Sequence, residues 1–395
     1  MPPRDDAPIR VRLRRPLERA IRSGHPWIWR DALEPFDAAP GVVVEVMGKG
    51  GRPLARGLAD AGPIGLRVFT TRDEAVDQAL FLRRVGDALA LRARVVPVGT
   101  DAYRLLHGEG DRWPGVVCDR YGAHAVLRLD GEAAHAWQPR IVEWLRAPLA
   151  AIGVRSLLVR GERKRGDAVE LAWGEAPPDE VAVAEHGMRL SANLWRGQKT
   201  GLFLDHRESR RRVRELAREA RVLDLYAYTG GFSVAAGLGG AAHVTTVDVA
   251  APALEHAAKS WALNGLDAAR HATRTGDAGE VLGELARAGQ RYDVVIADPP
   301  SFAPNEVAKP AALESYAELH RGVLAVLAPG ALYLAASCSS HVGREDFDAT
   351  LREGARRARR VLQVLDRWGA PADHPRLLAF PEGDYLKVSL LRMVE

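Results

Sequence analysis

The chain has 395 residues, and at roughly 150 residues per domain this length predicts two or three domains. A composition of 47% hydrophobic and 27% charged residues with a net charge of +4 is typical of a soluble globular protein, and no apolar run could span a bilayer. The first residues lack the apolar segment of a secretory signal, and Cys118 and Cys338 are too few for a disulfide framework. We therefore expect a cytoplasmic protein with no membrane partner and no metal site.

Residues 1–72 are predicted to form a small module made mostly of strands. Apolar and polar residues alternate in IRVRLRR, GVVVEV and LARGLAD, and Gly and Pro separate these stretches. Because side chains alternate across a strand, Arg10, Arg12 and Arg14 would share one face of the first strand. A basic face of this kind is suited to a polyanion such as a nucleic acid.

Residues 73–185 predict a mixed middle segment. AVDQALFLRRVGDALALRARV has the periodicity of a helix, and GVVCDRYGAHAVLRLDG is typical of a hairpin. The stretch GEAPPDEVAVAEHG is rich in proline and acidic residues, so we place a domain boundary close to His186. Between them lies a basic loop for which we favour phosphate contact, and its charged residues are Arg160, Arg163, Lys164 and Arg165.

Residues 186–395 alternate between strand and helix patterns, which predicts a parallel, doubly wound α/β sheet. The strand candidates are RVLDLYA, HVTTVDV, the weaker ATRTGDA, YDVVIADPP, ALYLAAS and YLKVSLLRM. A basic helix, HRESRRRVRELAREAR, precedes the first of them. Its interleaved Glu208, Glu215 and Glu219 favour a solvated face over phosphate contact.

Polar residues stand where these strands end. Asp224, Asp248, Asp298 and Cys338 end four candidates, and Asp277 follows the weaker one. Ligands of such sheets bind at the carboxyl ends of the strands, and an acid after the second strand suits ribose hydroxyls. The turn YAYTGGF lets backbone approach a ligand but lacks both GxGxxG and a P-loop lysine. This favours a nucleoside-like cofactor without a pyrophosphate, such as S-adenosylmethionine, although each Asp taken singly could equally cap a helix or end a turn.

Two short motifs carry the sharpest chemical signal. In DPPSF, two prolines stop the strand ladder and hold Asp298 at a rigid exit. In SCSS, Cys338 ends an apolar run, where a thiol is either core filler or a nucleophile.

An ordered series of motifs extends over nearly the whole chain: SGHPWIW, GEGDRWPGVVCDRYG, EHGMRL, GQKTGLFLDHRESR, YAYTGGF, DPPSF, SCSS, ADHP and PEGDYLK. In these motifs the chain resembles the bacterial 23S (large-subunit) ribosomal RNA cytosine-C5 methyltransferases that carry an N-terminal PUA domain. The resemblance implies a PUA-like RNA-binding module over residues 1–72, a mixed α/β domain over 73–185 and a class I, Rossmann-like methyltransferase domain over 186–395. It implies S-adenosylmethionine as cofactor and ribosomal RNA, naked or partly assembled, as partner, with a homodimer left open.

The resemblance also assigns roles to individual residues. Thr200, Phe203 and Asp205 would close over the methionine part of the cofactor. Asp224, at the end of the first strand, would bind the cofactor together with the turn after it, which is formed by Tyr226, Tyr228, Thr229 and Gly230. Asp248 would bind the ribose and Asp277 the adenine amine. Asp298, with Pro299 beside it at the cofactor, would hold the cytosine, and Cys338 would be the nucleophile.

The chain departs from the family pattern at two positions that flank this pocket. His206 stands where the family often has Gln, and Ser301 stands where related members have Lys. Many RNA cytosine methyltransferases also place a second Cys where this chain has Pro300, so the base that removes the C5 proton is not identified. Two other functions stay open: methylation of a guanine nitrogen, which needs no thiol, and a non-catalytic RNA-binding assembly factor.

Overall fold

The computed structural model describes residues 9–161 and 168–394. These residues form two five-stranded sheets, a two-stranded hairpin and a seven-stranded sheet. None of the helices in the described part of the chain is both long enough and apolar enough to cross a membrane.

The N-terminal module is a five-stranded sheet with one short helix. Its elements are β1 (Ile9–Arg12), α1 (Glu18–Arg22), β2 (Trp27–Trp29), β3 (Val43–Met47), β4 (Pro53–Ala59) and β5 (Ile64–Thr70), and the strand order is β1-β3-β4-β5-β2. The alternation predicted for the first strand is present, since Val11 is buried while Arg10, Arg12 and Arg14 are exposed. Arg10 donates from Nε to Glu45 at 3.1 Å.

The middle segment packs two long helices on a second five-stranded sheet. Its elements are α2 (Gln78–Val95), β6 (Ala102–His107), β7 (Val116–Tyr121), β8 (His124–Leu129), α3 (Glu132–Ala136), α4 (Gln138–Ala151), β9 (Ser156–Arg160) and β10 (Val169–Gly174), in the strand order β10-β9-β8-β7-β6. The predicted helix begins where Asp77 accepts a hydrogen bond from Leu80 N. The predicted hairpin is the antiparallel pair β7 and β8.

The phosphate contact predicted for Arg160 is wrong in the structure. Its side chain is buried at the end of β9, where it donates to the carbonyl oxygen of Leu194 at 3.0 Å. The other basic residues of that loop, 163–165, lie outside the described residues.

A hairpin of β11 (Val181–Glu185) and β12 (Met188–Ala192) occupies the predicted boundary. The two residues of its turn, His186 and Gly187, have φ values of 48° and 74°, the left-handed geometry that tight hairpins require. Its apolar side chains share one core with residues of β7 and β8, so a division at residue 186 would separate two paired strands. The domain limits therefore stay a prediction.

The rest of the chain forms a seven-stranded sheet with helices on both faces. Its elements are α5 (Arg207–Leu216), β13 (Arg221–Leu225), α6 (Gly231–Leu238), β14 (His243–Asp248), α7 (Ala251–Leu263), β15 (His271–Thr275), α8 (Ala278–Arg287), β16 (Tyr292–Ala297), α9 (Lys309–Leu324), β17 (Leu327–Ser337), α10 (Arg344–Ala358), β18 (Leu362–Trp368) and β19 (Lys387–Met393). The strand order is β15-β14-β13-β16-β17-β19-β18.

This sheet differs from the prediction in its last two strands. β13 to β17 are parallel, but β19 is inserted between β17 and β18 and runs antiparallel to both. The chain crosses from β17 through α10 to the edge strand β18 and then returns, which forces the reversal. β18 was not predicted, because an edge strand whose side chains are mostly exposed has no apolar alternation to reveal it.

Helix α5 buries two of its arginines, which the solvated face favoured by the sequence did not predict. Arg207 and Arg210 are 1% and 5% exposed, and each meets a buried carboxylate. Arg207 makes two hydrogen bonds to Asp373 at 2.9 and 2.8 Å, and Arg210 binds Glu185. Because paired and hydrogen-bonded charges can be buried at tolerable cost, these two arginines join elements of the fold and cannot reach a phosphate.

Candidate active site

A cavity of about 690 Å³ opens at the carboxyl edge of the seven-stranded sheet. It lies where β13, β14, β16 and β17 end, which is where ligands of doubly wound sheets bind. The structure brings together most of the predicted site residues along its wall: Phe203, Asp205, Tyr226, Tyr228, Thr229, Asp248, Asp277, Asp298, Pro299 and Cys338.

Thr200 does not line this cavity. Its side chain is buried, and its hydroxyl donates to Asp119 at 2.6 Å and lies 2.8 Å from the hydroxyl of Tyr121. Both partners belong to the middle segment. Thr200 therefore anchors the segment that carries Phe203 and Asp205, and it does so from behind the cavity wall.

Asp224 and Gly230 also lie behind the wall. Asp224 is fully buried and accepts hydrogen bonds from the backbone and hydroxyl of Ser233, and burial raises its pKa to about 7. Gly230 has a φ of 71°, and a Cβ there would meet the Cβ of Ala257 at 2.6 Å. The two residues determine the path of the turn, but neither lines the cavity, so the structure does not place Asp224 and Gly230 in the predicted contact with the cofactor.

The turn after β13 stores backbone strain next to the cavity. Tyr226 and Tyr228 have φ values of 59° and 49°, a region that residues with a side chain seldom occupy. Asp248 stabilises this conformation, since its Oδ2 accepts from Tyr228 N at 2.8 Å while its Oδ1 accepts from Ala250 N at 2.9 Å. A carboxylate oxygen has about two acceptor sites, so Asp248 keeps capacity for two ribose hydroxyls.

Asp277 caps a helix and lines the cavity at once. Its Oδ1 accepts from Gly279 N at 2.8 Å and from Glu280 N at 3.2 Å, which is the N-cap role of an acid that begins α8. The hydrogen bonds to the described residues involve Oδ1 alone, so Oδ2 keeps its capacity for an amine at the cavity.

Asp205 supplies a buried negative charge to the opposite wall. Its Oδ2 accepts from Lys199 Nζ at 3.1 Å and from the Tyr385 hydroxyl at 2.8 Å. Its buried Oδ1 has no hydrogen-bond partner among the described residues. Burial alone would raise the pKa of Asp205, but Lys199 and the neighbouring histidines lower it well below its usual range. An unpartnered anionic oxygen at a cavity wall fits the positively charged methionine part of S-adenosylmethionine.

The sequence analysis assigned no role to Lys199, Arg210 or Tyr385. Lys199 and Arg210 line the cavity, whereas Tyr385 donates to Asp205 without lining it. All three stand inside motifs that carry the family resemblance, and this was the available signal.

Asp298 stands at the end of β16 with a histidine beside it. Its Oδ2 lies 3.1 Å from Nε2 of His206, whose ring is 2% exposed. The other ring nitrogen of His206 lies 3.3 Å from the hydroxyl of Ser209. The departure from the family at position 206 therefore contacts Asp298 directly.

The loop after β17 points Cys338 at the cavity. Its neighbours Ser337 and Ser339 are fully buried, and the hydroxyl of Tyr316 lies 2.9 and 3.0 Å from theirs. Ser301, the second departure from the family, donates to Ser339 at 3.1 Å. With both neighbours held inward, the half-buried Cys338 faces the space beside Asp298.

The two cysteines have different surroundings. Burial and the negative charge of Asp298 together raise the pKa of Cys338 to about 11, although Lys199 and Lys387 oppose this rise. Cys118 is fully buried in β7 and packs among core side chains. Of the two cysteines, Cys338 lines the cavity and Cys118 does not.

The strand order, with an antiparallel seventh strand and a cavity at the carboxyl edge, defines the fold class of the S-adenosylmethionine-dependent methyltransferases. A model of that methyltransferase family matches residues 103–389, and a model of the PUA-like domain matches residues 11–71. Two solved structures share the fold at 23% identity. One is a Streptococcus mutans protein described as a SAM-dependent methyltransferase, with a TM-score of 0.87 over 97% of this chain and 100% of that chain. The other is a methyltransferase complexed with SAH, with a TM-score of 0.88 over the same shares.

Relatives over the full length narrow this assignment. "Ribosomal RNA large subunit methyltransferase" of Deinococcus radiodurans is 38% identical over 99% of this chain and 99% of its own length. "Ribosomal RNA large subunit methyltransferase I" of Cronobacter sakazakii is 36% identical over 96% of this chain and 98% of its own length. The chain therefore belongs to the ribosomal RNA large subunit methyltransferase family, and its cofactor is S-adenosylmethionine.

Proposed function

We propose that this protein methylates C5 of a cytosine in 23S ribosomal RNA through a covalent bond between Cys338 and C6. The names of its relatives support the class of substrate. The observation that carries the choice of atom is the position of Cys338, beside Asp298 on the wall of the cofactor cavity and with both neighbouring serines held inward. A cysteine that only fills space in the core would not need to be turned toward the cavity in this way.

The chemistry of C5 explains why a thiol is needed. C5 of cytosine is a poor nucleophile, so the Cys338 thiol must lose its proton and its sulfur must add to C6. The C5–C6 electron pair then becomes available at C5, and a proton is taken up at N3. Bound S-adenosylmethionine supplies the methyl group. Transfer of the C5 proton to water lets its electron pair re-form the C5–C6 double bond and expel the sulfur as a thiolate. N3 then gives up the proton that it took up, which leaves 5-methylcytosine.

Asp298 and His206 would hold the cytosine during these steps. The Asp298 carboxylate is the acceptor for the protonated N3 side of the ring. His206 at 3.1 Å fixes the orientation of that carboxylate, and the buried ring of His206 is itself fixed by Ser209. The cytosine must leave its stack to enter this corner, at a cost of a few kcal/mol in a duplex and less in a loop.

A second candidate is methylation of a guanine nitrogen. The observation that favours it is the pKa of Cys338, about 11, because a thiol with this pKa is almost entirely protonated at pH 7. Nitrogen methylation requires the strand-end acid and the aromatic Phe302 of DPPSF but no thiolate.

Release of tritium from RNA labelled at cytosine C5 separates these candidates, because only C5 methylation expels that hydrogen. We expect release by the wild-type enzyme, none by Cys338→Ser with cofactor affinity retained, and nearly wild-type release by the control Cys118→Ala. RNA with 5-fluorocytosine at the target should trap the wild type covalently and leave the serine variant untrapped. Methyl transfer without tritium release would assign nitrogen methylation, and RNA binding without any methyl transfer would assign an assembly factor.

A further inference from the structure

A buried lysine stands beside the loop that carries Cys338. Lys387 is the first residue of β19 and pairs across the strands with Ser337, the residue before the cysteine. It is 3% exposed, and its Nζ donates to the carbonyl oxygens of Ser339 at 2.6 Å and of Tyr385 at 2.8 Å. The ammonium group is thus hydrogen-bonded to the backbone just after Cys338 and to the backbone just before β19.

The charge of Lys387 is not neutralised by a neighbour. Its two hydrogen-bond partners among the described residues are neutral carbonyls, and no carboxylate of those residues lies within ion-pair distance of its Nζ. Arg344, Asp346 and Asp384 influence it from farther away. A buried cation without a counter-ion is costly, so a structure that keeps one usually has an anion to place beside it.

Among the charged groups near Cys338, Lys387 is the cation that is best suited to pair with a thiolate at Cys338. Asp298 faces the thiol from β16, and Asp205 and Lys199 face it from the segment before α5. Lys199 is already engaged, because its Nζ is 3.1 Å from Asp205 and 4.3 Å from the centre of the Phe203 ring.

We propose that Lys387 is the counter-ion of the Cys338 thiolate, a positioning residue that keeps its own proton while the thiol gives up its proton to water. This inference rests on the proposed function, since a thiolate is needed only for attack at C6. Burial lowers the pKa of Lys387 to about 8, and Cys338 opposes that shift. At pH 7 the lysine is therefore mostly charged, and its attraction for the thiolate weakens as pH rises through about 8.

The test is the ionisation of the thiol itself, measured without RNA. Iodoacetamide alkylation of Cys338 is followed from pH 6 to pH 10 by mass spectrometry of its peptide, with the buried Cys118 as an internal control. We expect Lys387→Met to raise the apparent pKa of Cys338 by about one unit, which is about a tenfold slower alkylation at pH 7. Lys387→Arg should stay close to the wild type because it retains the charge.

Two further variants keep the test decisive. Lys259→Met is the matched control, because Lys259 is half exposed and paired with Glu180 away from the cavity. If Lys387→Met does not fold, Lys387→Gln replaces it, since an amide still donates to the carbonyls without a charge. An unchanged alkylation profile in a folded, uncharged variant overturns the role of Lys387. Tritium release by the wild type tests the proposed function separately, so failure of the role of Lys387 can be distinguished from failure of the proposed function.

Discussion

Asp248 and Asp224 end neighbouring strands but occupy opposite sides of the cavity wall. Asp248 lines the cavity, and each of its carboxylate oxygens accepts one hydrogen bond from a backbone N–H. Asp224 is fully buried behind the wall. Loss of charge-assisted hydrogen bonds costs about 1.5–3 kcal/mol, so Asp248→Ala should weaken S-adenosylmethionine binding by roughly 10- to 100-fold. Isothermal titration calorimetry on the folded variant measures this.

Asp224→Asn is the matched control for that measurement. Its amide oxygen can still accept the two hydrogen bonds from Ser233, and it removes a carboxyl whose pKa burial raises to about 7. Cofactor affinity should stay within about threefold of the wild type, which is less than 1 kcal/mol. If Asp248→Ala bound the cofactor as tightly as Asp224→Asn, Asp248 would not hold the ribose.

Strand-end residues could be located from sequence because a strand's apolar run shows where it ends. This holds for Asp248, Asp298 and Cys338, each of which the structure places on the cavity wall. Buried charges could not be located in this way. The burial of Arg207 was not predicted, because its partner Asp373 is 166 residues away in the sequence and the pattern of a helix does not reveal so distant a carboxylate. Lys387 was missed for the same reason, since only the pairing of β19 with β17 brings it to Cys338.

At the scale of elements, α5 is joined to the C-terminal segment by the Arg207–Asp373 pair. Asp373 is fully buried and also accepts from Arg104 N at 3.0 Å, while its carbonyl accepts from Arg92 at 2.7 Å. The Asp373 carboxylate thus joins α5 to β6, and the carbonyl oxygen of the same residue binds α2. Removing one partner of a buried pair leaves an uncompensated charge.

We expect Asp373→Asn to lower the free energy of unfolding by about 3–5 kcal/mol at pH 7. Burial alone would raise the pKa of Asp373, but His374 and Arg207 lower it well below its usual range. Because the folded pKa is depressed, the stabilisation is fully present above the unfolded value near 4 and declines as pH falls from there toward the folded pKa. The difference between wild type and variant should therefore shrink in acid.

Urea denaturation from pH 3 to pH 7 measures this difference. The control is Asp366→Asn, which removes a half-exposed carboxylate paired with Arg212 and should cost less than about 1 kcal/mol. An equal loss in both variants, or a difference that does not shrink in acid, would show that the buried pair does not account for the stability.

At the scale of the whole molecule, the N-terminal module is built into the rest of the chain. Arg67 of β5 is buried and binds Asp60 of its own module together with Glu109 and Asp130 of the middle segment. Leu58 and Phe69 contribute to the core of the middle segment. Deleting residues 1–72 would expose that core, so the role of the module in RNA binding is better tested by side-chain substitution.

The basic face of β1 offers such a test. Arg12 and Arg14 are exposed and have no ion-pair partner among the described residues. If they contact phosphates, the double variant Arg12→Gln/Arg14→Gln should bind a ribosomal RNA fragment more weakly, and the slope of log affinity against log salt should become shallower by about 1.4–1.8.

The matched control Arg359→Gln/Arg360→Gln removes two exposed charges at the end of α10, at the sheet edge opposite the cavity, and should leave the slope unchanged. Filter binding at four salt concentrations measures both. Equal slopes for the β1 variant and the wild type would remove this face from the RNA-binding surface, whereas equal losses in both double variants would indicate a dependence on net charge alone.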